Sequence, residues 1–256
     1  MSHAAARSAL AFACAAALGL AGGTAAAGRG RPGQSHVKFH PDWEKHPSTI
    51  HAAMGAGDCL AELKKRGIKA DPVQSAPGVL APVRLPADVG GVTYRTEAPD
   101  HVRAQSPYDV FDCRLVLSLH DLSRILVAHG VDEVRMFSAW RPPGKTWPEG
   151  KLATRHPGAL AMDAARFGKK LAPGQTAKVW LDVARDFHGA LDKTVCGADA
   201  VPPSPATPEA TELRSIVCEV ADQHAFTTIL TPNYNRAHFN HFHLEVTPDV
   251  RWYLVR

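Results

Sequence analysis

Eight consecutive residues near the C-terminus, His238-Phe239-Asn240-His241-Phe242-His243-Leu244-Glu245, constrain the fold more than any other part of the chain. From His241 onward polar and apolar side chains alternate. Successive side chains of a strand point to opposite faces, so His241, His243 and Glu245 share one face and Phe242 and Leu244 the other. Such a strand needs a packed layer beneath it and a polar opening above it. Three histidines within six residues, interleaved with Phe239 and Phe242, are not explained by packing alone.

The rest of the chain supplies elements to surround that strand. Asp58 caps a short helix ending near Arg66-Gly67. Pro72 to Tyr94 is extended, with Gly90-Gly91 as a turn. Ser106-Pro107-Tyr108-Asp109 has the chemistry of a helix start: a Ser cap, a proline in the first turn and an acid after it. Phe111, Leu115, Leu119, Leu122 and Leu126 then form one apolar stripe that Gly130 ends. Strands are expected at 134–140, 159–167, 178–183, 227–230 and 242–246. A second helix opens at Thr207-Pro208-Glu209 and carries Leu213, Ile216, Val217 and Val220 on one face. Helices stand singly among hairpin-like strands with no regular βαβ alternation. The expected class is therefore α+β: one compact domain over 58–256, with a small antiparallel sheet carrying a cleft and helices flanking it.

The first 27 residues read as a secretory signal peptide. Arg7 precedes an uncharged Ala/Leu-rich run, and Ala25-Ala26-Ala27 offers a small-residue cleavage site. No stretch approaches the ~20 apolar residues of a membrane span. The expected location is secreted or periplasmic. Removing the leader takes Arg7 from the 29 basic residues and Cys14 from the five cysteines, leaving 28 basic against 25 acidic residues and four cysteines. That charge is too mild for a nucleic-acid-binding protein. Cys59, Cys113, Cys196 and Cys218 suit two disulfides in an oxidising compartment, with three connectivities open. Cys59–Cys113 with Cys196–Cys218 is the pairing expected. No close CxxC pair is present, so the cysteines read as staples and not as zinc ligands. Residues 28–57 are rich in Gly, Pro, His and Lys and read as a linker or loosely attached segment. Its histidines His36, His40, His46 and His51 are irregularly spaced, as in a solvated linker.

A second cluster complements the histidine strand: Arg155-His156-Pro157-Gly158-Ala159-Leu160-Ala161-Met162-Asp163. His156 and Asp163 converge with His241 and His243 if Gly158 lets the chain turn and Asp163 lies on a neighbouring strand. Two imidazoles and one carboxylate form a common zinc set with an open fourth position, which a hydrolase requires. Other chemistries lack their motifs: there is no phosphate-binding loop and no G-x-S-x-G elbow.

The two clusters resemble those of the zinc D-Ala-D-Ala peptidase and hedgehog fold group, and within it the bacterial extensin-like C-terminal family. The shared features are Ser138-Ala139-Trp140-Arg141, His156 with Asp163 after it, and the closing His-Phe-Asn-His-Phe-His segment. Cys59, Pro82-Val83-Arg84-Leu85, Asp112-Cys113 and Thr231-Pro232-Asn233-Tyr234-Asn235 add family-like texture over residues 59–256. The resemblance implies that His156, Asp163 and His243 bind Zn2+. It implies that Arg141 holds a substrate carboxylate or the oxyanion, that His238 and His241 line the cleft, and that Trp140 forms an apolar wall. It further implies hydrolysis of cell-wall peptide, peptidoglycan, by metal-activated water.

One position departs from that pattern. Active peptidases of the group carry an acid three residues before the last ligand, where this chain has Asn240. An amide positions a water but does not take its proton, and losing a general base costs on the order of 10²–10⁴ in rate. Glu245 and His241 are the substitutes within reach. Two functions follow as alternatives: a zinc metallopeptidase, or a catalytically lapsed zinc domain that binds cell-wall peptide or a protein partner.

Overall fold

The computed structural model describes residues 37–256; residues 1–36, with the stretch expected as a leader and His36, lie outside the described residues. In chain order the elements are β1 (Val37–Phe39), α1 (Pro47–Ala52), α2 (Ala56–Lys65), β2 (Asp71–Pro72), β3 (Pro82–Arg84), β4 (Thr93–Thr96), α3 (Asp100–Arg103) and β5 (Phe111–Asp112). There follow α4 (Cys113–Ala128), β6 (Val131–Met136), β7 (Ala161–Lys169), β8 (Trp180–Asp182), α5 (Val183–Asp186), α6 (Pro208–Asp222), β9 (Thr228–Leu230), β10 (Phe242–Glu245) and β11 (Trp252–Val255).

Mixed α and β structure is as expected, but the sheet is larger than the sequence suggested. Eight strands join in the order β1-β11-β9-β10-β7-β6-β4, with β8 also paired to β7, and β2-β3-β5 form a second, three-stranded sheet. The main sheet is not purely antiparallel, because β4 pairs β6 and β11 pairs β9 in parallel. The first of these pairings follows from the long crossover through β5 and α4, which returns the chain in the same direction.

Helix α4 is the centre of the packing. Its expected stripe, Leu115, Leu119, Leu122 and Leu126, is fully buried, and so are Val116, Leu117 and Ser118 on other faces. A helix buried nearly all round must be covered on both sides. Here β6 and α6 lie against it along with α1 and α2. The helix begins at Cys113 and not at Ser106. Ser106 caps only a 3-10 turn over Pro107–Asp109, whereas the Asp112 side chain accepts from Arg114 N–H and starts α4. The Phe111-Asp112 pair between these caps is held as β5 against β3. The second helix keeps its expected start, with Thr207 Oγ1 accepting from Ala210 N–H at 3.1 Å.

Both disulfides have the expected pairing: Cys59–Cys113 ties α2 to the start of α4, and Cys196–Cys218 ties a loop to α6. They agree with an exported chain, and among the described residues no helix is long and apolar enough to cross a membrane.

The linker expected over 28–57 is corrected from residue 37 on. Strand β1 pairs antiparallel with β11, and α1 packs on α4. His51 is buried there, with Nδ1 3.1 Å from Ser118 Oγ. Polar composition hid this segment because its contacts are made by a three-residue strand and a six-residue helix, both too short to show periodicity.

Candidate metal centre

The floor of the site is the antiparallel pair β7–β10, in which His243 lies directly opposite Asp163. Residues opposite each other on paired strands carry their side chains side by side on one face. On the opposite face Phe242 packs against Phe167 and Phe187, with ring centroids 5.6 and 5.3 Å away. The alternation in the sequence is thus realised as a core face and a cleft face.

His156 reaches this face from a 3-10 turn over His156–Gly158. Two non-glycine residues with positive φ, Arg155 (55°) and Ala159 (52°), bracket the turn. Such backbone costs roughly 1–3 kcal/mol per residue and persists only where surrounding contacts impose it. Several contacts do so here. Trp140 Nε1–H donates to Pro157 O at 3.1 Å, and Arg141 N–H donates to His156 O at 3.1 Å. A Cβ on Gly158 would collide with the Ala153 carbonyl, so only glycine fits that corner. Trp140 is buried beside Ala76, Val79, Val110 and Ala159. It therefore supports the turn and does not form a wall of the cleft.

His156, Asp163 and His243 each offer one ligand atom, all within 4.8 Å of one another, and all three residues are buried. They form a group that could hold a metal ion. Asp163 Oδ1 is 3.1 Å from His156 Nε2, 3.0 Å from His243 Nδ1 and 3.4 Å from His241 Nε2.

The far nitrogen of each imidazole also has an acceptor. His156 Nδ1 faces Ala139 O at 2.8 Å, His241 Nδ1 faces Asn240 Oδ1 at 2.9 Å, and His243 Nε2 faces Glu245 Oε2 at 3.1 Å. A neutral imidazole carries one proton, and an acceptor on one side draws that proton to itself. The other three nitrogens then aim lone pairs at a carboxylate oxygen. Positive charge between them removes the repulsion, and a cation suits that geometry. Fixing the outer nitrogen by a carbonyl or carboxylate is also how metal-bound histidines are oriented.

A second proton on an imidazole can take the place of that cation, turning the inward nitrogen from a lone pair into a donor to Asp163. Burial alone would raise Asp163, but hydrogen bonds from His156 and His243 hold it well below the ordinary carboxylate range. Burial would lower His243, but its hydrogen bonds to Asp163 and Glu245 carry it above the usual histidine value. Burial, with His241 and His243 close by, pushes His238 down to about 4, and burial also lowers His241.

Arg141, His156, Asp163, His238, His241 and His243 line one cleft of about 560 Å³. Arg141 Nη2 pairs with Asp163 Oδ2 and Nε donates to Ser138 Oγ at 2.9 Å, while about half of the side chain stays exposed. Asn240 is not in the lining; its amide oxygen holds His241. Glu245 is in the lining but is occupied by His243 and by Thr247 Oγ1 at 2.8 Å. Burial would raise Glu245, yet those two bonds lower it. It orients His243 and is not a free base. Tyr234, from the Thr231–Asn235 segment of the family-like pattern, also lines the cleft with Thr154, Trp252 and Leu254, and nothing in the local sequence of these last three marked them for that role.

No family model, curated protein or solved structure matches this chain. What the site can do is argued from its own residues.

Proposed function

We propose that the protein is an exported zinc hydrolase of the metallopeptidase kind, acting on the peptide of peptidoglycan. The observation carrying this reading is the convergence of His156, Asp163 and His243 on one buried point, with each histidine held from behind, at the floor of an open cleft. The resemblance of the two motifs to zinc D-Ala-D-Ala peptidases supplies the substrate class. Imidazole and carboxylate ligands with protein on one side only suit a zinc ion with an exchangeable position. Bound there, zinc supplies Lewis acidity and a water of lowered pKa.

The chain's own groups do the rest. The exposed end of the Arg141 guanidinium faces the cleft and suits a peptide carboxylate. His238 donates Nδ1–H to Asn235 Oδ1 at 2.8 Å, which leaves Nε2 as a proton acceptor. His241, held in register by Asn240, presents Nε2 to the same space. Both imidazoles are neutral at pH 7 because burial lowers them. With Asn240 outside the cleft and Glu245 committed to His243, one of these two histidines takes the proton that an acid takes in the peptidases.

Asn240 also favours a second reading: the same zinc cleft binding wall peptide without turnover. Digestion of purified peptidoglycan separates the two. Chelator-sensitive cleavage by the native protein, lost in His243→Ala, supports the enzyme. Zinc uptake by the native protein with no chelator-sensitive cleavage identifies the binding domain. Failure of the purified protein to take up stoichiometric zinc overturns both.

A further inference from the structure

A second group of histidines lies away from the cleft. His40 follows β1, His46 precedes α1, and His224 follows α6. Their imidazoles crowd together at tilted and edge-on angles, with ring centroids 4.6 Å apart for His40–His46, 3.8 Å for His46–His224 and 5.4 Å for His40–His224. One ligand atom from each lies within 4.8 Å of the other two. We propose that His40, His46 and His224 form a second transition-metal site, taking Zn2+ in preference to Mg2+ or Ca2+, that fastens the N-terminal segment to the end of α6.

The donor set selects the ion. Three imidazoles suit zinc and its neighbours, whereas magnesium and calcium require oxygen ligands. Zinc–nitrogen bonds of ~2.0–2.1 Å in tetrahedral geometry put ligand pairs roughly 3.4 Å apart, so the histidines need close by about 1.4 Å at most. His40 and His46 lie on a surface segment that can make that movement.

The tautomer and backbone of His224 are already set. Its Nδ1–H donates to Ala221 O at 2.8 Å, which turns Nε2 outward as a lone pair. Its carbonyl accepts from Ser48 N–H at 3.1 Å, tying this histidine to the start of α1. The residue has φ of 50°, the left-handed region that non-glycine residues rarely enter. Tyr253 of β11 packs at a tilt against the His224 ring, with centroids 4.6 Å apart, and limits its rotation.

Three ligands leave a fourth position for water or for an outside donor. Occupancy links β1 and α1 to α6, so zinc would clamp the segment that the polar composition presents as a linker.

The test is zinc stoichiometry of the full purified chain after metal stripping and equilibrium dialysis against Zn2+. Two ions are expected per native chain, one in His46→Ala, one in His40→Ala and one in His243→Ala. The His46→Ala, His243→Ala double variant is expected to bind none. Neither His40 nor His46 is in the core, so these variants keep the fold, and circular dichroism checks it. Zinc is also expected to slow amide exchange over 47–52 in His243→Ala and not in the double variant. Two ions retained by both His40→Ala and His46→Ala overturn the proposal. So does one ion in the native chain that disappears in His243→Ala. If the native chain binds one ion that is kept in His243→Ala and lost in His46→Ala, this site stands and the zinc reading of the cleft falls.

Discussion

Replacing Asp163 by Asn changes one buried charge while keeping the shape of the side chain. Asp163 is 1% exposed and receives His156, His241 and His243 on Oδ1 and Arg141 on Oδ2. Removing one partner of a buried ion pair costs about 3–5 kcal/mol. Arg141 is half exposed and can return its charge to water, so the lower end, about 3 kcal/mol, applies. For a chain of this size that lowers Tm by about 6–12 °C. The same substitution removes a ligand. Zinc at a hundred times its Kd stabilises the folded state by about 2.7 kcal/mol, worth about 5–11 °C. The assay is calorimetry with and without Zn2+, in a His46→Ala background so that only the cleft responds. The parent is expected to rise by that amount, and Asp163→Asn to start lower and not rise. An equal rise in both would refute Asp163 as a ligand. A drop in Tm with no zinc response in the parent would leave a hydrogen-bonded cluster and no metal centre.

Glu245→Gln keeps an acceptor for His243 but removes its charge, and zinc affinity measured by calorimetric titration should fall by about tenfold; an unchanged Kd contradicts the orienting role. Cys59 and Cys113 are 54 positions apart, and loop-closure entropy assigns about 4 kcal/mol to that bridge. Denaturant unfolding of a Cys59→Ala, Cys113→Ala variant should show a loss of that order, and a loss under 1 kcal/mol would contradict it. His51 is lowered from 6.5 to about 4, chiefly by burial. The unfolded chain therefore takes up a proton as pH falls from 6.5 to about 4 while the folded chain does not, so stability is full above 6.5 and falls through that window. The loss is about 3 kcal/mol in total. His51→Gln should flatten the dependence by that amount, and an unchanged slope between pH 7 and 4 would contradict it.

The site was more legible in the sequence than the fold. The alternation from His241 to Glu245 fixes which side chains face the cleft, whatever the sheet around it. Asp163 on a neighbouring strand needed only the next step, and β7 pairs with β10 in the register that delivers it. Roles were harder than positions. Glu245 shares a face with His243, but only the structure shows the pair bonded. Trp140 adjoins Arg141 in sequence, yet it turns into the core to hold the His156 turn. Local capping chemistry misplaced the start of α4 because Ser106 and Asp112 both present good caps, and the strand pairing of Phe111 and Asp112 chose between them. Strand β1 left no signal because its partner β11 lies at the other end of the chain. For the same reason His224 gave no hint that it meets His40 and His46. Contacts between segments distant in sequence carry no local periodicity to read.

The most direct test of the metal centre is anomalous scattering at the zinc edge from crystals of the zinc-loaded chain. The expected result is a peak bonded to His156 Nε2, Asp163 Oδ1 and His243 Nδ1 at about 2.0–2.2 Å, with a further position open to the cleft. Zinc present in the crystal but absent from that point, with Asp163 still hydrogen-bonded to His156 and His243, would contradict it.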